Sequence, residues 1–370
     1  MPDDNLSGAP DTTSNTGHTG NLAGKRRSRR SRLKTFAALD LGTNNCRLLI
    51  ARPNSANESF RVLDSYSRVV RLGTGLSSTG RLSDKSMDAA VEALTVCSKK
   101  MQARKVKRWR CVATEACRKA ENGKEFVERV KQETGLKLDI ISARVEARLA
   151  VMGVLNLVDN NKDVALVVDI GGGSTEISWL DIRRLKNQGE KVRIHRPPIS
   201  AWASLPLGVV TLSELVPEHD DRAEWYEEMK NRVRQAITDS GCETRFTKTF
   251  KAGNGHIIGT SGTMTSLTGI YLGLPHYQRD RVDGSLMPSA DAVRIARDMA
   301  SKSQEERANE PCIGDDRARL LVAGCAITDV ICEMWPCENL SIADRGLREG
   351  ILMGLMKQNR QFNSNGSEGK

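Results

Sequence analysis

Apolar and polar positions along this chain fall into short blocks whose period keeps changing. Residues 36–39 are apolar throughout and meet a turn at 40–45, after which 47–51 is apolar from Leu48 on, predicting strand, loop and strand. A further strand is predicted near 61–70. Residues 85–104 place Met87, Val91, Leu94, Cys97 and Met101 at helical spacing behind a cap at Ser83 or Asp84. A strand at 110–113 then leads into 114–119, a helix at 125–134 is closed by Gly135, a strand follows at 139–141 and a helix at 145–157. The pattern restarts with strands at 164–168 and 176–180 and a charged hairpin or loop at 183–198. Helices at 224–238, 266–272, 292–301, 317–335 and 347–357 surround a short strand at 255–259, and residues beyond about 360 are expected to fray. Two halves that each open on a strand-loop-strand unit and continue into helices predict a mixed sheet with packed helices, made twice, with a ligand cleft between. The expected division is a tail over 1–33, an N-terminal domain over 34–157, a C-terminal domain over 158–360, whose last helix is free to return to the first domain, and a short tail over 361–370.

Composition narrows the classes. The 370 residues are 39% hydrophobic and 28% charged, as in globular proteins. No run approaches the roughly 18 apolar residues that cross a bilayer, and the N-terminus lacks an apolar signal core, so a cytoplasmic protein without membrane insertion is expected. Nine cysteines include no C-x-x-C pair, which argues against a zinc site or a disulfide framework. Net charge is +10, and residues 1–34 hold seven Lys or Arg against three Asp. The tail has too few apolar residues to offset ordering entropy. Its basic run at 25–32 is either a solvated solubilising segment or a tether for a polyanion.

Candidate chemistry lies in three glycine and hydroxyl turns. Asp40 precedes Gly42, Thr43, Asn44 and Asn45; Asp169 precedes Gly171, Gly172, Gly173, Ser174, Thr175 and Glu176; and Gly259, Thr260, Ser261, Gly262 and Thr263 precede a helix. Such turns offer backbone and hydroxyl donors to phosphate, with the acids acting through Mg²⁺ or its waters. The competing reading of Asp40 is an ordinary turn in which the carboxylate bonds its own backbone. Three consecutive glycines pack poorly, so close approach of an anion is the better account of 171–173. The third turn is not a nucleophile elbow, since Thr263 stands where glycine would be needed. No P-loop pattern occurs, and His219-Asp220 reads as a helix-start loop capped by Asp220 or Asp221.

Seven separated segments, in order, resemble the exopolyphosphatase and guanosine pentaphosphate phosphohydrolase family. They are Ala38 to Asn44, Ala113-Thr114 with Arg118, Ile140 to Ser142 with Glu146 to Leu149, Asp169 to Glu176, Leu205 to Gly208, Gly259 to Thr263, and Asp344 to Gly350. The resemblance implies an α/β fold of two actin-like, Hsp70-like ATPase (ribonuclease H-like) domains with an interdomain cleft. It implies Glu146 as base for an attacking water, Arg47 on phosphate oxygens and Arg118 as a second clamp. From residues alone, Glu146 equally fits a surface acid paired with Arg144 or Arg148. Asp40, Asp169 and Glu176 would organise Mg²⁺, and a homodimer is implied. Two departures stand out: the first turn carries Asn45 where a hydroxyl is usual, and Val145 precedes Glu146 where a second acid is common. Longer members carry an additional helical domain of HD type, which is not expected here. The implied activity is release of orthophosphate from inorganic polyphosphate, with guanosine pentaphosphate as the alternative substrate. Two further classes stay open: a phosphotransferase of the sugar-kinase or acetate-kinase type, and a nucleotide-responsive binding protein whose basic tail contacts nucleic acid.

Overall fold

Eleven strands, among the residues described, sort into two sheets with one repeated plan. The structure is a computed structural model that describes residues 34–54, 59–187 and 197–365. The basic tail and most of the 183–198 segment lie outside the described residues. The first sheet contains β1 (Phe36–Leu41), β2 (Asn45–Pro53), β3 (Phe60–Val69), β4 (Arg108–Ala113) and β5 (Leu138–Ile140) in the order β3-β2-β1-β4-β5. The second contains β6 (Val164–Ile170), β7 (Thr175–Asp181), β8 (Ile199–Leu205), β9 (Gly255–Thr260), β10 (Leu286–Pro288) and β11 (Asn339–Ala343) in the order β10-β11-β9-β6-β7-β8. In each, a central strand has an antiparallel hairpin on one side (β1-β2-β3, β6-β7-β8) and parallel partners on the other (β4-β5, β9-β11). The repeat inferred from the restarted pattern is therefore a repeat of topology, extended by β10 at one edge.

The helices that position these sheets are α1 (Asp84–Ala103), α2 (Glu115–Lys119), α3 (Gly123–Thr134), α4 (Ala143–Val154), α5 (Val209–Leu215), α6 (Arg222–Asp239), α7 (Gly262–Tyr271), α8 (Ser289–Ser301), α9 (Asp315–Met334) and α10 (Leu347–Asn365), with a few short helical turns between them. Local chemistry sets their ends. Ser83 caps α1, Gly135 closes α3 at φ +71°, and Asp221 caps α6 by accepting from the Ala223 and Glu224 N–H groups. Helix α7 starts earlier than its apolar period suggests, because Ser261 rather than a residue near 266 supplies the cap. Helix α10 continues to Asn365, a few residues beyond the expected fray point. Strands β8, β10 and β11 and helix α5 leave no sign in the apolar pattern. Asn339–Ala343 carries few large apolar residues and pairs in a sheet whose neighbours complete its burial, so its own period is weak.

Helix α4 is the element on which both sheets meet. Its Leu149 and Met152 pack with Phe36, Ala38, Leu49 and Val112 of the first sheet, together with Leu347, Ile351 and Leu352 of α10. Its Val151 and Val154 pack with Ala165, Val167, Ile258 and Ala343 of the second. Helices α4 and α10 can approach this closely only through glycine: a Cβ on Gly350 would lie 2.0 Å from the Leu149 carbonyl oxygen, and one on Gly153 would lie 2.0 Å from that of Gly346. The final helix thus covers the first sheet although it follows the second in sequence.

Gly350→Ala is expected to lower the thermal midpoint by roughly 3–8 °C, since backbone atoms must move to admit the methyl group. Gly354→Ala, in the same helix with open space around it, should be neutral or stabilising. Equal midpoints for the two variants, measured by calorimetry, would remove the packing account.

Candidate active site

The two hairpins that open the halves end in the same turn. In the first, the Gly42 N–H donates to the Asn45 carbonyl at 2.9 Å; in the second, the Gly171 N–H donates to the Ser174 carbonyl at 2.9 Å. The register then sets Asp40 opposite Arg47 and Asp169 opposite Glu176. One turn therefore pairs its acid with a cation and the other pairs its acid with a second acid. The turns face each other closely. A Cβ on Gly172 would stand 2.9 Å from Thr43 Cβ, and one on Gly173 would stand 2.8 Å from Thr43 Oγ1. Smallness at 172 and 173, expected to serve an anion, is required first by this contact between turns.

Glu146 projects from the first turn of α4, which Ser142 caps. Arg118 holds it, donating from Nη1 to Glu146 Oε2 at 3.0 Å and to the Ile141 carbonyl at 2.8 Å, while Nη2 pairs with Glu115. Glu176 is buried and accepts from the Ser174 and Ser204 hydroxyls at 2.7 and 2.9 Å. Glu146, Asp40, Asp169 and Glu176 share one electrostatic neighbourhood. Burial and the Glu176 charge push Glu146 well above the usual carboxylate range, against the pull of Arg118. Burial, then Glu146 and Asp40, hold Asp169 at about 7; burial and Asp169 hold Glu176 at about 7. Asp40 is raised by burial despite Arg47 and Arg348. Desolvation plus like-charge crowding raises all of them.

These groups line one cleft of about 1070 Å³. Its wall includes Asp40, Gly42 to Asn45, Arg47, Glu146, Asp169, Gly171 to Ser174, Glu176 and Thr260 to Thr263. The third turn contributes Ser261, held at φ +141°, whose Oγ accepts from the Met264 N–H, so that α7 starts at the cleft. Three candidates are not on the wall. Thr175 is fully buried with its hydroxyl donating to the Leu207 carbonyl at 2.7 Å, and Gly259 lies inside β9 against Met264. Neither is placed to bind phosphate. Arg118 sits behind Glu146, off the wall, with its guanidinium bonded to Glu146, Glu115 and the Ile141 carbonyl.

Residue-level reasoning missed the opposite wall. Arg348 lies near Asp40 and Arg47, and its charge, after burial, helps lower the Arg47 pKa. Neither arginine has an ion pair among the described residues, so the two cations point into the cleft uncompensated by a salt bridge. Arg279 donates to the Asp344 carbonyl at 2.5 Å and to Glu349 at 3.2 Å; Arg317 stacks 5.6 Å above Tyr277 and donates to Ser266. The Asp344 to Gly350 match is the available signal for Arg348, but spacing gives its arginines no direction.

A repeated mixed sheet, closed around a cleft by paired glycine turns, defines an α/β protein of the actin-like ATPase class. The chain belongs to the Ppx/GppA phosphatase family, whose profile matches residues 49–359. It is 28% identical over 335 residues to a guanosine-5'-triphosphate,3'-diphosphate pyrophosphatase of Photobacterium profundum, an alignment covering 88% of this chain and 60% of that protein. The chain thus spans about 60% of the length of this curated relative. Its structure is similar to the Aquifex aeolicus family member, with TM-score 0.70 and 27% identity over 88% of this chain and 99% of that one. An exopolyphosphatase-like protein matches with TM-score 0.75 and 25% identity over the same shares. An exopolyphosphatase from Cytophaga hutchinsonii ATCC 33406 shares the fold, with TM-score 0.75 and 22% identity over 88% and 98% of the two chains.

Asp169 binds its proton more tightly in the folded chain, at about 7, than at its ordinary 3.8. The stability it confers is complete below that ordinary value and is lost as pH rises through about 7. Asp169→Asn is therefore expected to raise the thermal midpoint by about 3 °C or more at pH 8 and to leave it nearly unchanged at pH 4.5. The same gain at both pH values would show that charge crowding is not the cause.

Proposed function

We propose that the chain is a phosphoanhydride hydrolase that releases orthophosphate from the end of inorganic polyphosphate. The observation that carries the reading is the facing of Arg47 and Arg348 toward a half-buried group of carboxylates containing Glu146. The terminal phosphoryl group lies between the two glycine turns, whose N–H groups and the Thr43 side chain orient its oxygens. The two guanidinium groups offset the charge that builds there in the transition state. Glu146 orients a water in line with the terminal anhydride and accepts its proton as the bond to the leaving chain breaks. Arg118 fixes the Glu146 carboxylate and opposes the rise that burial and the Glu176 charge impose on it.

Among the described residues no three His, Cys, Asp or Glu side chains are grouped to hold a metal ion by themselves. A crowded carboxylate set beside a phosphate site nevertheless suits Mg²⁺, which takes one or two carboxylates, waters and phosphate oxygens. Asp40 and Asp169, with Glu176, would hold such an ion, and it would supply charge neutralisation to the substrate.

A second reading, guanosine pentaphosphate as substrate, draws on the named activity of the Photobacterium relative and on Tyr277 under Arg317, an aromatic surface on the cleft wall where a base could stack. Phosphate release from polyphosphate without any acceptor separates both readings from a phosphotransferase.

Glu146→Gln is expected to lower kcat by about 10²-fold or more with KM little changed. In the parent, kcat should rise with pH as Glu146 ionises, at a pH above the ordinary carboxylate range. Competition between polyphosphate and guanosine pentaphosphate in a phosphate-release assay ranks the substrates, and near-parental turnover by Glu146→Gln would overturn the assignment.

A further inference from the structure

The end of the first sheet remote from the cleft carries a second concentration of cations. Residues 99–110 contain seven Lys or Arg and no acid, with Trp109 among them. The fold places part of this run in one row with cations from distant sequence. Arg61 of β3 pairs with Arg52 of β2, Arg52 Nε donates to Thr35 Oγ1 at 3.1 Å, and the Lys107 N–H donates to the Thr35 carbonyl at 2.9 Å. Arg61, Arg52 and Lys107 thus stand on four successive strand positions, Thr35 being the fourth, over about 15 Å at ordinary strand spacing. All three face the α1 side of the sheet, as do Ala37, Ile50 and Leu63 beside them. Along β1 this row lies about 20 Å from Asp40 and the glycine turn, the length of the strand.

Four features distinguish the row from a merely solvated face. Asp64, the acid at this edge, is already engaged by Lys100 and Arg104, each at 3.0 Å. Arg52, Arg61, Lys105 and Lys107 are exposed and have no ion pair among the described residues. Lys105 ends α1 at φ +51°, the left-handed position that stability alone assigns to glycine. Trp109, next but one to Lys107 and on the same side of β4, leaves 48% of its surface exposed. A charged row alone suits any polyanion, but an exposed indole among cations adds a stacking surface that a purely inorganic chain cannot use.

We propose that this pole binds single-stranded nucleic acid, with Arg52, Arg61, Lys105 and Lys107 on the backbone phosphates and Trp109 under a base. The surface is separate from the cleft and does not depend on the hydrolytic reading.

The test is fluorescence anisotropy of the full-length chain with a labelled oligouridylate of about 20 nucleotides, long enough to cover a site of this kind. Binding should weaken with salt. The triple variant Arg61→Ala, Lys105→Ala, Lys107→Ala should lose about tenfold or more in affinity, and its salt slope should be shallower by about 2, near 0.7 per phosphate contact. Trp109→Ala should lose about fivefold or more with the slope unchanged. Lys105→Gly should bind more weakly while raising the thermal midpoint, a combination that a structural role for the lysine does not produce. Phosphate release by the cleft should be the same in all these variants. Failure of the parent to bind, or parental affinity in both the triple variant and Trp109→Ala, overturns the proposal. So does loss of binding only when Lys25, Arg26, Arg27, Arg29, Arg30 and Arg32 are replaced by Gln, which would assign it to the tail. Displacement by inorganic polyphosphate together with a silent Trp109→Ala overturns it in favour of a phosphate polymer.

Discussion

Helix α4 is held in place by contacts that leave no room for a side chain. The Leu149 carbonyl rests on Gly350 and Gly153 rests on the Gly346 carbonyl, so α4 and α10 pack backbone against backbone. Because α4 also buries Val151 and Val154 against the second sheet, its position fixes the separation of both sheets at once. The cleft is the space left beyond the N-terminus of this helix. Packing therefore sets where the first turn of α4 and the Glu146 backbone lie, and the Arg118 hydrogen bond sets the direction of the carboxylate.

The repeated hairpin shows how one backbone solution carries two electrostatic tasks. Asp40 and Asp169 occupy equivalent places, each followed by a glycine whose N–H closes the same turn. The cross-strand partner decides the character of each side: Arg47 makes the first turn a place for anions, and Glu176 makes the second a place for protons or a cation. A polyphosphate end brings negative charge and its counter-cation together, so the asymmetry matches both parts of such a ligand. The fold bears the cost as carboxylates pushed toward neutral pKa. Stability and ligand affinity draw on the same crowding in opposite directions.

Much of this organisation is legible in the chain. Uninterrupted apolar runs before Asp40 and Asp169 mark the central strands, and the glycine turns mark where they end. Glu146 is different: its spacing fits a helix-surface acid, and only the family resemblance raises it above that reading. The surroundings of Arg118 are likewise not legible, because a cation near a phosphate motif looks the same in sequence whether it faces a cleft or a carboxylate; in space it bonds Glu146, Glu115 and the Ile141 carbonyl. Arg348 is hidden for a related reason, since it reaches Asp40 only because α10 returns across the first sheet. Glycines 172 and 173 do mark a close approach, but the nearest partner is Thr43 of the facing turn.

That returning helix also bears on how the two ends of the first sheet divide their work. Parallel strands β1, β4 and β5 deliver their C-terminal ends to the cleft, where acids and glycines collect, and their N-terminal ends to the opposite pole, where Lys107 and its neighbours collect. Helix α10 covers one face of the sheet between them and α1 the other, so a packed core lies between the two poles. Charge at that pole is then poorly placed to steer substrate, and the +10 of the whole chain is misleading as an index of what the cleft itself attracts.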